Sequence, residues 1–202
     1  DLVRDPAIGG LSFWGLNLGG EAWFSNIDVT PAETLQLSGT PVPTAQAEPG
    51  TIMSWNVSDA FDGAALTGVM LPDGLPQADM PLSANINGMA NLSRLQGVAE
   101  GADTVLAQVV VSSEKAVQVP FDLGFSDDAK VYLNGDLLYS GSDRYAARDY
   151  RFLGTVGLWD TVVLPLQKGE NTLAIAVTES VSNKTGWAVM GRFEQSNGLN
   201  WH

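Results

Sequence analysis

The sequence contains no cysteine, and its single histidine, His202, is the last residue. Without cysteine, disulfides, thiol chemistry and cysteine-ligated metal sites are excluded. A Ser-His-Asp triad and a histidine-type zinc site both need histidine inside the fold, so one terminal histidine argues against both. The glycine pairs at 9–10 and 19–20 lack the lysine and the following helix of a phosphate-binding loop.

Positive charge is also scarce: 10 Lys and Arg residues face 23 Asp and Glu residues, and the formal net charge is −13. Nucleic acids and anionic membranes are bound mainly through Lys and Arg, so neither is an expected partner. No apolar run approaches the about 20 residues of a membrane-spanning helix, so membrane insertion is not expected. The acidity indicates either a salty or cation-rich medium or solvation alone.

Helical periodicity is missing as well, and alternation of apolar and polar residues takes its place. A period of two is typical of half-buried strands. Asn134-Gly135 predicts a two-residue hairpin turn, because a type I′ turn needs positive φ at both central residues. Pro120 cannot donate a ladder hydrogen bond, so we expect it at an edge or a bulge. Many short strands without helices predict an all-β fold, either an antiparallel β-sandwich or a barrel. The main strand runs are 105–111, 117–123, 129–133, 161–166, 172–177 and 186–193.

Composition divides the chain into four parts. A proline-rich segment without apolar periodicity is predicted to be a linker. The chain starts at Asp1 without a methionine, which we interpret as a processed or truncated piece of a longer protein. The parts are an N-terminal hairpin at 1–30, the linker at 31–50, the β-sandwich at 51–195 and a frayed tail at 196–202.

The segment 63–102 is predicted to be a long, partly irregular loop with one short strand at 85–95. It is rich in Gly, Pro, Asn and Ala. Long loops on a compact domain often carry binding residues. The alternative is a loop that only covers one end of the sandwich.

Two resemblances follow from local motifs. Ser126–Gly135, Leu164–Leu173 and Gly186-Trp187 make residues 51–195 resemble the galactose-binding-domain-like jelly roll of bacterial carbohydrate-binding modules and of non-catalytic lobes of β-galactosidase-type enzymes. Residues 144–154 resemble a subgroup of uncharacterised bacterial modules of this type. The segments at 10–14 and 22–29 resemble the closing strands of a concanavalin-like (laminin-G-like) module.

The main resemblance implies a non-catalytic binding or structural module attached to a secreted carbohydrate-active protein. It therefore implies an extracellular or periplasmic location, with a glycan and neighbouring domains of the parent chain as partners. No cofactor is required, but many relatives hold a structural calcium. Calcium prefers hard oxygen ligands, and Asp127 and Asp128 are the candidate metal residues. The alternative is that both are turn residues before a strand.

Basic residues are concentrated around one segment, since Lys130, Arg144, Arg148 and Arg151 are four of the ten. Sugar binding uses aromatic faces together with polar groups in a concave place. In an alternative interpretation, Arg148 and Asp149 have a structural role: they pair with Asp127 or Asp128 and hold the loop in place. Trp55 and Trp187 are interpreted as core residues. The ligand-binding candidates are Arg144, Tyr145, Arg148, Asp149, Trp159 and Asp160.

Three functions follow as hypotheses. The first is a carbohydrate-binding or accessory module, and the second is a purely structural module that contacts other proteins. The third is a glycoside hydrolase, which would use two carboxyl groups. No catalytic residue is assigned; the carboxyl groups considered for that role are Asp127, Asp128, Asp149, Asp160 and Glu179.

Overall fold

A computed structural model describes most of the second of two compact units. The units are Asp1–Ala45 and Gln46–His202. The predicted N-terminal hairpin, to which the lectin-like resemblance applies, lies outside the described residues apart from Ser25 and Asn26. Of the predicted linker, only the last five residues, 46–50, are described. The described residues are 25–26, 46–149, 151, 153–182 and 186–202.

Strands dominate the second unit. The described residues contain two short 3₁₀ helices, Gly63–Ala65 and Leu92–Arg94, and no α-helix. They also contain no helix with the length and apolar character that a membrane span requires. The strands are β1 Ser54–Ser58, β2 Ala78–Ser83, β3 Ala90–Asn91, β4 Thr104–Ser113, β5 Val117–Phe125, β6 Asp128–Leu133, β7 Asp136–Ser142, β8 Asp160–Leu166, β9 Gly169–Thr178, β10 Ala188–Phe193 and β11 Leu199–Trp201.

The strands form two antiparallel sheets packed face to face. The large sheet has the order β2-β1-β4-β9-β6-β7, and β11 also pairs with β4. The small sheet has the order β3-β10-β5-β8. The predicted antiparallel β-sandwich is therefore confirmed. Since β7 and β8 are edge strands of different sheets, the chain between them crosses from one sheet to the other.

Apolar side chains that alternate with polar ones along the strands form the core between the sheets. Val105, Val109 and Phe121 are almost completely buried there, as the period of two predicted. Trp55 and Trp187 are also buried, which confirms their interpretation as core residues. Each large apolar side chain buried in this way stabilises the fold by about 1.5–3 kcal/mol.

The outer face of the large sheet carries a second, smaller apolar cluster. Leu66, Leu71 and Leu75 from the segment after β1 contribute to its cover. The part of the predicted loop at 63–75 therefore packs on this face of the sheet. The buried members of the cluster are Phe61, Leu66, Leu106, Tyr132, Ala174 and Ala176.

The Asn134-Gly135 hairpin is confirmed. Its two turn residues have φ values of 53° and 92°, which is the positive φ that a type I′ turn requires. The Asn134 side chain also accepts a hydrogen bond from the Thr172 N–H at 2.9 Å and donates one to Asn171 at 3.1 Å. The turn is thereby joined to the adjacent strand β9.

Pro120 was predicted at an edge or a bulge, but it lies in β5, between β8 and β10, where the register is continuous. It is paired with Val163 of β8. On the other side its carbonyl accepts from the Glu194 N–H, just beyond Phe193, where β10 ends. In an antiparallel strand the N–H and C=O of a residue face the same neighbour, so the donor that proline lacks falls where the β10 ladder stops.

The segment 63–102 is more ordered than predicted. β2 was missed because Pro81 and Asp79 obscure its pattern, but as an edge strand of the large sheet it tolerates a proline. The strand predicted at 85–95 is shorter than expected. It is limited to Ala90–Asn91 and continues into a 3₁₀ helix.

The predicted frayed tail is wrong. β11 pairs with β4 at residues 111–113, whereas β1 pairs with β4 at 107–108. β4 extends beyond β1, and the tail satisfies the backbone groups that β1 does not reach. The Trp201 ring lies 4.9 Å from that of Phe193, which joins the tail to the core.

Candidate functional site

The segment that crosses between the sheets holds all six predicted ligand-binding residues. We call it the crossing loop, residues 143–160. It leaves the end of β7 at Asp143 and reaches the first residue of β8 at Asp160. Within it, the structure describes residues 143–149, 151 and 153–160. Tyr150, a further aromatic residue of the sequence, lies outside them.

Arg148 joins the two ends of the crossing loop. Its Nε–H donates to Asp143 Oδ1 at 2.5 Å, and its terminal nitrogen donates to Asp160 Oδ2. The Asp143 side chain is 1% exposed and the Arg148 side chain is 34% exposed. One guanidinium thus connects an edge strand of the large sheet to an edge strand of the small sheet.

Burial controls the chemistry of this cluster. It raises the pKa of Asp143, and the ion pair with Arg148 opposes this rise without cancelling it. Asp143 Oδ2 is buried and has no hydrogen-bond partner among the described residues. Burial and the neighbouring Asp160 carboxylate raise the pKa of Tyr139 to about 12, so its hydroxyl keeps its proton at neutral pH.

The remaining charged candidates form separate ion pairs. Arg144 binds the Asp128 carboxylate, and Arg151 binds Asp149 with an Nε–Oδ1 distance of 2.8 Å. The alternative interpretation of residues 148–149 therefore had the wrong partners: Arg148 binds Asp143 and Asp160, and Asp149 binds Arg151. Asp143 was missed because its burial depends on how the two sheets meet, which no local pattern in the sequence records.

Among the described residues of the crossing loop, two aromatic side chains are exposed: Tyr145 at 64% and Trp159 at 54%. The Trp159 indole N–H donates to the Thr155 carbonyl at 3.0 Å. A Cβ added at Gly157 would lie 2.6 Å from the indole, so the ring packs directly on the glycine backbone. The loop therefore presents a tryptophan at the surface in a defined position.

Asp127 and Asp128, the candidate metal residues, each have a partner in the structure. Asp127 Oδ2 accepts from the Ser180 N–H at 2.7 Å, and Asp128 is paired with Arg144. Calcium takes six to eight oxygen ligands. No group of three or more His, Asp or Glu side chains in the described part of the chain could hold a metal ion. Asp127 has a φ of 49°, which suits a turn residue, and calcium at Asp127 and Asp128 stays a prediction.

Two surface depressions lie beside the crossing loop. A groove of about 560 Å³ runs between the edge strands β7 and β8, and its lining includes Tyr139, Thr161 and Val163. A depression of about 490 Å³ lies on the outer face of the large sheet, and its lining includes Lys130 and Ser142. Neither lining contains Tyr145 or Trp159, so neither exposed ring lines a depression.

No family model and no curated protein matches this sequence. Solved structures with some similarity include a β-glucosidase from Kluyveromyces marxianus in complex with glucose, at 12% identity and a TM-score of 0.38. The match covers 74% of this chain and only 16% of the β-glucosidase. A family 35 carbohydrate-binding module from an environmental isolate is 15% identical, with a TM-score of 0.35, and 77% of this chain and 93% of that one are covered. Because both TM-scores are this low, the fold is assigned from the sheets of this chain and not from these similarities.

Proposed function

We propose that the protein is a non-catalytic carbohydrate-binding module and that the crossing loop contacts the glycan. The observation that carries the proposal is the exposed Trp159 indole, which is held by Thr155 and packed on Gly157. A pyranose ring can pack its C–H groups on such a face, and polar groups nearby can bind its hydroxyls.

Fixation of the ring favours binding. An aromatic side chain that is already held in place loses little conformational freedom when a ligand arrives. Tyr145, Arg144 and Asp149 are exposed in the same loop and supply a second ring and polar groups. We therefore assign the glycan contacts to these three residues and to Trp159.

The carboxyl groups of the loop fit a catalytic role less well than a structural one. Glycosidases use two carboxyl groups about 5–10 Å apart across an open site. Asp143 and Asp160 both bind Arg148, and Asp143 is buried. We propose that these carboxylates hold the loop and catalyse no hydrolysis.

The longer protein around the module is also part of the proposal. The resemblance to bacterial carbohydrate-binding modules supports a secreted parent protein and an extracellular or periplasmic location. Detection of the native protein in culture medium or periplasmic extract, rather than in cytoplasm, would support this placement.

Affinity gel electrophoresis tests the glycan proposal. We expect at least one of a set of soluble polysaccharides (xylan, β-glucan, galactan, pectin) to retard the wild-type protein. Trp159→Ala should weaken that retardation about tenfold or more, because the ring face is lost. Ile86→Ala, an exposed apolar residue outside the loop, is the matched control and should bind as the wild type does.

Two results would contradict the proposal. One is a wild-type protein that none of the polysaccharides retards, which favours the purely structural role. The other is a Trp159→Ala variant that binds as well as the wild type, which would move the site elsewhere. Circular dichroism melts of each variant check that the fold is retained.

A further inference from the structure

We infer that Arg148 is a positioning residue: it sets the place of the Trp159 ring by holding together the two ends of the crossing loop. The inference deepens the proposed function and rests on it, because the ring matters for binding only if it contacts the glycan. Arg148 itself acts through the loop and does not need to touch a ligand.

The first support is the placement of its two partners. Asp143 follows the last residue of β7, and Asp160 is the first residue of β8. No ladder pairing joins these two edge strands, since they end different sheets. The guanidinium therefore supplies, between the two ends of the loop, a connection that backbone hydrogen bonds do not make.

The second support is the chemistry of the bridge. A guanidinium is planar and has five N–H donors in a fixed fork, so it can bind two carboxylates in fixed directions. A lysine ammonium keeps the charge but loses that geometry. Without the cation, Asp143 would be buried without its charged partner, and the negative charge of Asp160 would be nearby.

The third support is the short path from the bridge to the ring. Trp159 is the residue before Asp160, and its backbone N–H donates to the Gly157 carbonyl at 2.9 Å. The indole N–H donates to Thr155, so both of these hydrogen bonds are made to residues of the loop. A shift of Asp160 relative to β7 would therefore move the ring together with this part of the loop.

Arg192 offers a matched control. Its side chain is also 34% exposed, and it binds the partly buried Asp122 carboxylate at 2.8 Å. That pair joins β10 to β5 inside the small sheet, so it does not bridge the crossing loop. Arg192→Lys should therefore affect stability in the same way as Arg148→Lys but leave the ring in place.

The experiment labels the tryptophans with 5-fluorotryptophan and follows them by ¹⁹F NMR. The spectrum of Trp159→Phe identifies the Trp159 line. We expect Arg148→Lys to shift or broaden that line and to weaken binding of the polysaccharide that retards the wild type by about tenfold. Arg192→Lys should change neither. Arg148→Ala is measured in parallel, and Arg148→Lys remains informative if Arg148→Ala does not fold.

Two outcomes would overturn the inference. An unchanged Trp159 line in Arg148→Lys would show that the ring does not depend on the bridge. Weakened binding with an unchanged line would instead make Arg148 a direct glycan contact. If the wild type binds no polysaccharide, the proposed function fails, but the ¹⁹F line of Trp159 still decides whether Arg148 positions the ring.

Discussion

At Asp143, burial and an ion pair act on the same carboxyl group in opposite directions. Burial raises its pKa, and Arg148 lowers it by a smaller amount. Asp122 shows the reverse balance. Burial raises the pKa of Asp122, but the hydrogen bonds from Arg192 and Thr161 outweigh burial, and the pKa is lowered. The two aspartates therefore contribute to stability in different ranges of pH.

Asp143→Asn should reveal this difference. A raised folded-state pKa means that the contribution of Asp143 is fully present below its unfolded pKa, 3.8, and is lost as the pH rises through the folded value. We therefore expect the melting temperature of the wild type, relative to that of Asp143→Asn, to increase as the pH falls from 7 to 4. Melts by circular dichroism at each pH measure the difference.

Asp122→Asn is the control with the opposite sign. A lowered folded-state pKa gives stability that is present above 3.8 and is lost as the pH falls through the folded value. The difference between the wild type and Asp122→Asn should stay level from pH 7 to about 4 and decrease below it. If the melting-temperature difference between the wild type and Asp143→Asn stays level or decreases as the pH falls, Asp143 is well stabilised as an anion.

Among the elements, β11 shows how a short strand can complete a sheet. It covers the part of β4 that β1 leaves unpaired, and His202 exchanges two backbone hydrogen bonds with Val110. Leu199 and Trp201 are partly buried against the core. The end of the chain is thus part of the sandwich.

Removal of residues 199–202 should therefore destabilise the protein by about 2 kcal/mol, because it exposes apolar surface and unpairs β4. Urea unfolding followed by tryptophan fluorescence measures the loss as a lower midpoint. Trp201→Phe keeps a ring beside Phe193 and should retain most of the stability. Equal midpoints for the truncated and the 202-residue chains would show that β11 adds nothing to stability.

The sequence predicts the strands with clear alternation and misses two others for a physical reason. β4, β5 and β9 each bury one face over nine or ten residues, so alternation is visible in the sequence. β2 contains a proline and β11 has only three residues, and only their partners in the sheet identify them. The same limit applies to the site.

In the candidate site, the residues could be selected by type, but their partners could not be predicted. Arginines and aromatic residues concentrated in one segment indicated the crossing loop. The partners of Arg148 depend on where two edge strands of different sheets meet, and sequence spacing does not contain that information. Asp143 and Asp160 are 17 positions apart but bind one guanidinium.

For the whole molecule, the dominant electrostatic feature is a formal net charge of −13. A net charge far from zero destabilises a compact state through self-repulsion. Ion pairs such as Arg144–Asp128 act in the other direction, but exposed pairs contribute only about 0–1 kcal/mol each, and salt screens them too. We therefore expect repulsion among carboxylates to determine how stability responds to salt.

Raising NaCl from 10 mM to 500 mM should increase stability by about 1 kcal/mol, or about 3 °C in melting temperature for a chain of this size. Screening depends on ionic strength and hardly on the identity of the ion, so NaCl and MgCl₂ at equal ionic strength should give similar shifts. An additional increase with CaCl₂ would indicate specific calcium binding, because a ligand that binds only the folded state stabilises it by mass action. A melting temperature that falls with NaCl would show that ion pairs outweigh the repulsion.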